Sequence, residues 1–481
     1  MDRTPTITQD GTAMDTSSNQ QKATTAIDDQ PVERYTLTTA ICLIVGVCIG
    51  SGIFFKSDNI LVATGGNIAL GALMFLLAAT TIIFGGLTLA RFAARTNGHG
   101  GLIAYAQEFL GPRMVTLIGW HYTFLYLPAI CAIISWVVGV YACMTFGLPG
   151  EFPVQTGIGV AFLLACTAWN ICWPTLSGYF QNLTTVAKAL PLVVVGVLGL
   201  LFAHPVEQLA QDIAAAGTAS TGWLAAAAPI AFAFDGWSSA VSIAPELKDA
   251  RRNLPRALVA APLIILVLYL GYFLGLSCYL GPQAVIEAGD GSLSLLFVRM
   301  FGEGAAALPN VIALVAVLGT ANGMVLATLR MPFALALHNQ IPGARVVRRV
   351  NKTLRFPVAS AGVALAVTLV WVAIHSVVTT FGLLPNGDVS EVAVALTMFI
   401  LPVFYVFSCK ESLAPSTGER APLMARLRRA AAPALALVSS VAVGLSSISD
   451  PTRWPFVAAN LVVLAVAVWA MNRPARAKSA E

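Results

Sequence analysis

The sequence predicts an all-α integral membrane protein of about twelve transmembrane helices, built as a five-plus-five inverted repeat with helices 1 and 6 broken. Three observations carry this expectation. Over 481 residues, 57% are apolar and only 11% charged, with a mean hydropathy of +0.78, whereas a soluble domain carries about 25% charged residues. The chain also divides into apolar runs of roughly 20 residues, the length that crosses a bilayer. Finally, the first and sixth runs are interrupted, by Gly50-Ser51-Gly52 and by Asp235-Gly236. Backbone freed by such a break has no partner in lipid, so it must be buried in protein or line a cavity. Interruptions at matching places in two five-helix blocks point to a binding site at mid-membrane. A glycine face for close helix packing is the alternative at Gly46 and Gly50, which have the required spacing.

Residues 1–33 are rich in Thr, Ser, Gln and Asp and read as a disordered cytoplasmic tail without a signal-peptide pattern. The first repeat is expected over 34–205, with spans near 37–55, 68–92, 114–146, 155–172 and 183–203. The second is expected over 220–410, with spans near 222–245, 256–280, 308–336, 357–380 and 389–409. Two uninterrupted helices near 430–448 and 454–472 fill 411–472, outside the repeat, and 473–481 form a second cytoplasmic tail.

Within these spans a few polar groups stand out. Lys188 falls about six residues inside the expected start of span five, roughly 9 Å deep at 1.5 Å per residue. It either snorkels to the interface or turns its ammonium inward, and the inward reading is preferred. Asp235 is placed to cap a half-helix starting at Trp237, with contact to a substrate amine as the lesser alternative. Trp120, Tyr122, Tyr126 and Trp136 of span three read as interface anchors or pocket walls. Pro255 reads as the helix-initiating proline of span seven. Thr320, Asn322 and Thr328 of span eight suit bonds across helices or coordination of a cation.

The net charge of +5 is a matter of sidedness rather than of nucleic-acid affinity. Lys and Arg cluster at 248–256, 345–355 and 420–429, all in loops on one side. The positive-inside rule therefore makes both termini cytoplasmic, in a multi-pass protein of the cell membrane. The eight cysteines lie in or at the ends of spans with no CxxC pair, so they read as packed hydrophobes, and neither disulfide, metal nor cofactor is expected. No HExxH, P-loop or GxSxG is present, which argues against a protease, an ATP-driven pump or a hydrolase. The chain is not expected to be an enzyme.

From about Tyr35 to Lys410 the chain resembles the amino acid-polyamine-organocation superfamily, and within it bacterial relatives of the L-amino acid transporters. The resemblance rests on GSGIF at 50–54, Gly100-Gly101 followed by Tyr105, FAFDGW at 232–237, RNLPRA at 252–257 and Asn322-Gly323, all in family order. It implies a neutral amino acid exchanger of the serine/threonine type, working by alternating access on an amino acid substrate in the lipid bilayer. No accessory subunit is expected. The resemblance places the substrate carboxylate on amides of Ser51, Gly52 and Ile53, and the amino group on carbonyls near Val47, Phe232 and Phe234. Phe232 matches the family's aromatic gate, and Tyr272 a tyrosine that bridges the unwound segments. Lys188 matches a lysine standing where sodium-coupled relatives hold sodium, reaching carbonyls near Val45 and Gly46 and the Thr320 hydroxyl. Sodium independence follows as an expectation, with proton-coupled uptake, carriage of another amine substrate or a sensor role as alternatives. Short side chains at Ala233, Ser238 and Ser239 favour Ala-, Ser- or Thr-sized cargo. The chain departs from the family at Leu89-Ala90-Arg91-Phe92, where Glu is common.

Overall fold

The structure is a computed structural model that describes residues 33–50, 52–55, 57–96, 101–203, 205–216, 230, 233–383, 397–414, 422–448 and 454–472. The described residues are mainly helical, with no strand among them, and isolated bridges pair Tyr35 with Leu247 and Asn351 with Phe356. In chain order the helices are α1 (Leu37–Cys48), α2 (Ser57–Ala63), α3 (Ile68–Arg95), α4 (Pro112–Phe146), α5 (Phe152–Cys172), α6 (Pro174–Phe202), α7 (Pro205–Ala216) and α8 (Ala250–Leu280). There follow α9 (Pro282–Ala288), α10 (Ser292–Phe301), α11 (Leu308–Thr328), α12 (Met331–Leu337), α13 (Val358–Thr380), α14 (Pro402–Leu413), α15 (Leu423–Ile448) and α16 (Trp454–Asn472). Among the described residues, eight helices are long and apolar enough to cross a membrane.

Local chemistry sets the ends of these helices. The Thr36 hydroxyl accepts from Thr39 N at 3.4 Å to cap α1, and Asn67 Oδ1 accepts from Leu70 N at 2.8 Å to cap α3. Prolines open α4, α5 and α6, where a missing N–H is harmless. Gly147, at φ 64°, ends α4 in the left-handed region that glycine adopts without strain. Helix α7, which the hydropathy pattern left as a connection, presents Asp212 to the start of α3: its carboxylate accepts from Ile68 N at 2.8 Å.

Three expected boundaries move. Span five begins at Pro174 rather than 183, because Ser177, Gln181, Thr184 and Thr185 are buried inside the bundle although they look polar in sequence. Span seven begins at Ala250, so Pro255 lies inside the helix and does not initiate it. Helix α15 begins at Leu423, seven residues earlier than expected. Much of the expected sixth and tenth spans, including Pro229 and Phe232, lies outside the described residues.

α1 lies at the centre, packed against α6, α8 and α11. Gly46 makes this contact possible, since a Cβ there would overlap Thr185 Oγ1 and Gln181 Nε2 of α6. Gly46→Ala is therefore expected to destabilise the protein by about 1–3 kcal/mol, the penalty of an overpacked core. Gly50→Ala, whose Cβ meets only Thr320 Oγ1 at 3.8 Å, serves as the control, and thermal unfolding in detergent reads both. Close packing at Gly46 and a break at Gly50 thus coexist.

Candidate functional site

The first break follows Cys48. Ile49 N still donates to Val45 O at 2.9 Å, but Gly50 N turns to Cys48 O at 2.9 Å, and a short 3-10 helix, Gly52–Phe55, resumes the path. Gly52 is exposed with open space where a side chain would stand, while Ile53 and Phe54 are buried. Ser51 lies outside the described residues. Carbonyls released by the break find donors on other helices: Ile49 O accepts from Thr320 Oγ1 at 3.2 Å, Cys48 O from Tyr269 OH at 2.8 Å, and Phe54 O from Tyr272 OH at 3.1 Å. Burial demands such partners.

The second break lies beside the first. Gly236 takes φ 90°, and a Cβ there would strike the buried Val47 side chain, so only glycine fits. Trp237–Glu246 then runs as a 3-10 helix, tied by Ser239 Oγ to Gly236 O at 2.6 Å. Asp235 does not cap this helix, whose N-cap is Gly236 without a side-chain bond. Its carboxylate accepts instead from Tyr126 OH at 2.7 Å. Ser238 is buried and shares a 3.3 Å hydrogen bond with Tyr122 OH. Both tyrosines are buried on a π-helical turn of α4, Tyr122–Tyr126, so they face the second break and are not interface anchors. Phe234 is buried against Phe75 and Tyr269, Ala233 is half-buried beside it, and Phe232 lies outside the described residues.

Lys188 joins the first break to α11. It stands at the middle of α6 and is fully buried, so it does not snorkel. Its Nζ donates to Gly46 O, to Thr320 Oγ1 at 3.2 Å and to Ala316 O at 3.3 Å. The single Thr320 hydroxyl proton is shared between Gly46 O at 3.1 Å and Ile49 O at 3.2 Å. Compared with expectation, Gly46 and Thr320 are met, Ala316 is added, and Val45 is not among the acceptors. All these partners are neutral oxygens, as a bound monovalent cation would have.

The residue that spans both breaks is Tyr269, which sequence reasoning missed. Its hydroxyl lies 2.8 Å from Cys48 O and 2.9 Å from Ala233 O, while Tyr272, one turn on, reaches only Phe54 O among the described residues. The available signal was the pair of tyrosines three apart on one face of α8. Asn322 is a second such group: its Oδ1 accepts from Trp169 Nε1 at 2.9 Å, Asn170 Nδ2 at 3.1 Å and Ser177 Oγ at 3.1 Å, and its Nδ2 donates to Gln181 Oε1 at 3.0 Å. It locks α5, α6 and α11 around the lysine. Thr328 bonds Cys131 Sγ at 3.1 Å across helices. At the departure from the family pattern, Arg91 meets the Ser412 hydroxyl at 3.3 Å, and the neighbouring Arg95 pairs with Glu411 at 2.8 Å. All the cysteines are free, and all but Cys172 are at least half-buried. No cluster able to hold a metal ion occurs among the described residues.

Among the described residues, the two breaks lie side by side, tied to one another and to α8 and α11 by the Lys188, Tyr269 and Thr320 side chains. The chain is 28% identical over 379 residues to the serine/threonine exchanger SteT of Bacillus subtilis, covering 77% of this chain and 81% of that one. It is 28% identical over 334 residues to the human Asc-type amino acid transporter 1, covering 67% and 62%, and 30% identical over 243 residues to the mouse b(0,+)-type amino acid transporter 1, covering 49% of each. The model of the amino acid permease family matches residues 35–476, nearly the whole chain including both breaks, and the protein belongs to that family.

Proposed function

We propose that this multi-pass transporter exchanges small neutral amino acids by alternating access, without sodium, in the cell membrane and with both termini cytoplasmic. The observation that carries the reading is the Lys188 ammonium, held by Gly46 O, Ala316 O and Thr320 Oγ1 at the first break. A fixed positive charge among carbonyls does the work of a coordinated cation while needing no gradient of one. The substrate carboxylate meets the amides of Ser51, Gly52 and Ile53, where the start of a half-helix favours negative charge. Its amino group meets carbonyls near Val47, Phe232 and Phe234, and Phe232 closes over it. Ala233 and Ser238 leave room for a short side chain. The segments 34–205 and 220–410 act as the two repeats, with 411–472 outside them.

The test is uptake of labelled serine, alanine, leucine and arginine into proteoliposomes, with and without internal unlabelled amino acid, in sodium and in choline buffers. Uptake of serine or alanine that needs internal substrate and ignores sodium is the expected result. A second reading, proton-coupled uptake, is favoured by one fact: among the described residues, neither ion pair supplies Lys188 with a carboxylate. It predicts uptake into empty vesicles under an imposed pH gradient. Binding without flux under any gradient would instead indicate a sensor.

Gly52 gives a sharper test of the carboxylate position. Since nothing lies within 4 Å of where its Cβ would be, Gly52→Val should leave the thermal midpoint within about 2 °C of wild type, as exposed substitutions do. Substrate affinity should fall by about 100-fold or more, the loss of roughly two charge-assisted hydrogen bonds. Scintillation proximity binding reads this directly, and wild-type affinity would remove the carboxylate from this turn.

A further inference from the structure

A groove of about 550 Å³ opens where α5 meets α6, lined by Arg34, Trp173, Pro174, Leu176, Tyr179 and Arg355 among others. Arg34 Nη2 donates to the backbone carbonyl of Arg355 at 3.1 Å, and both residues line the groove. Arg355 is exposed and ends a basic loop that also carries Arg345, Arg348, Arg349 and Lys352. Among the described residues no carboxylate lines the groove, and neither ion pair uses Arg34 or Arg355. Among the described residues the groove is therefore a positively charged pocket with no carboxylate in its lining.

Its surroundings identify the counterion's carrier. Trp173 is 62% exposed and Tyr179 68%, the residue types that settle at the boundary between hydrocarbon and headgroups. From Leu176 an exposed apolar ridge runs along α6 through Leu183, Val186, Leu190, Val197 and Leu201. At 1.5 Å per residue the ridge is about 38 Å long, enough to cross a hydrocarbon core of about 30 Å. The groove at its end consequently lies at headgroup level, with its mouth continuous with the acyl-chain region. Soluble anions have no use for that apolar continuation.

We propose that this groove is a specific site for an anionic glycerophospholipid, with the phosphate between Arg34 and Arg355 and an acyl chain along Leu176 and Leu183. Guanidinium groups bind phosphate through paired N–H donors. A choline headgroup brings its own cation towards the two arginines and is rejected by like charge.

The experiment uses the full chain in phosphatidylcholine vesicles containing a small fraction of brominated phosphatidylglycerol or brominated phosphatidylcholine. Bromine quenches tryptophan on contact, and the difference between wild type and Trp173→Phe isolates the signal of Trp173. Brominated phosphatidylglycerol should quench it more strongly. Arg355→Gln should weaken that preference about fivefold, and Arg34→Gln with Arg355→Gln should abolish it, since each arginine near an anionic surface contributes about this factor. Arg355→Gln leaves the Arg34 bond to the 355 carbonyl in place, so the result does not depend on the double variant folding. Equal quenching by the two lipids in wild type, or a preference that survives loss of both arginines, overturns the proposal. Erasure of the preference by inorganic phosphate, but not by chloride at equal ionic strength, would assign the groove to a free phosphate and overturn the lipid.

Discussion

Lys188→Met is expected to lower amino acid exchange by about 100-fold or more while leaving the folded protein nearly as stable as wild type. Methionine keeps the length of the stem and removes the ammonium. Two carbonyls lose a donor, Gly46 O and Ala316 O, but Gly46 O retains Thr320 Oγ1 at 3.1 Å. The exposed deficit, about 1–3 kcal/mol per unpaired buried acceptor, is offset by no longer burying a charge. Stability therefore changes little. Exchange is different, because the ammonium holds the backbone of α1 immediately before the break at which the substrate carboxylate is proposed to bind. Hydrogen bonds to a charged group contribute about 1.5–3 kcal/mol each, and losing that hold on the binding conformation by about 3 kcal/mol is a factor of about 100. Uptake into proteoliposomes and thermal unfolding, measured on the same preparation, separate the two effects. Full exchange activity in this variant would show that the lysine only fills space.

Much of this site was legible before any coordinates. A Gly-Ser-Gly inside an apolar run and an Asp-Gly inside another are local signals, and both mark places where the helix stops: α1 ends at Cys48, and Gly236 turns left-handed. That Lys188 would face Gly46 and Thr320 came from the resemblance, and the side chain does reach both. The depth of Lys188 was not legible. Hydropathy leaves Gln181 and Asn182 outside the span expected at 183–203 and puts Thr184 and Thr185 in its first turn, yet Gln181, Thr184 and Thr185 are buried and bonded within the bundle. Polar groups that satisfy one another look the same in sequence as polar groups that face water.

The misses share one cause, partners far apart in the chain. Asp235 has a good local reason to cap the next helix, but the hydroxyl of Tyr126, 109 positions earlier, takes its carboxylate. Tyr272 and Tyr269 lie on the same side of α8, and only the rotation of that helix decides that Tyr269 reaches both breaks. Periodicity gives the face of a helix; it does not give its azimuth to within one residue's 100°. Ser51 and Phe232 lie outside the described residues, so their roles rest on the binding tests.

The largest expected effect on stability comes from a pair that sequence reasoning left unassigned. Arg330, between α11 and α12, meets Glu246 at the end of the second 3-10 helix through two parallel bonds, Nε to Oε1 at 2.5 Å and Nη2 to Oε2 at 3.0 Å. Both side chains are only 7% exposed. Arg330 also donates to Leu326 O at 2.5 Å and lies over the Phe356 ring at 5.2 Å. The backbone carbonyl of Glu246 accepts from Arg34 N at 2.8 Å and Tyr35 N at 2.9 Å. One cluster thus ties the strand of chain entering α1, the segment leaving the second break, and the α11–α12 junction. Arg330→Met should destabilise the protein by about 3–5 kcal/mol, because it leaves the Glu246 carboxylate buried without a counter-charge. Adding Glu246→Leu should recover most of that loss, since a buried ion pair and a packed apolar pair of similar volume differ little in stability. Transport should not recover with it: the apolar pair restores packing but not the two directional bonds that fix the end of the second break relative to α11. Thermal midpoints of the two single variants and the double variant close a mutant cycle that isolates the coupling. Additive effects would show that Arg330 and Glu246 act separately, and a double variant with wild-type exchange would confine their role to folding.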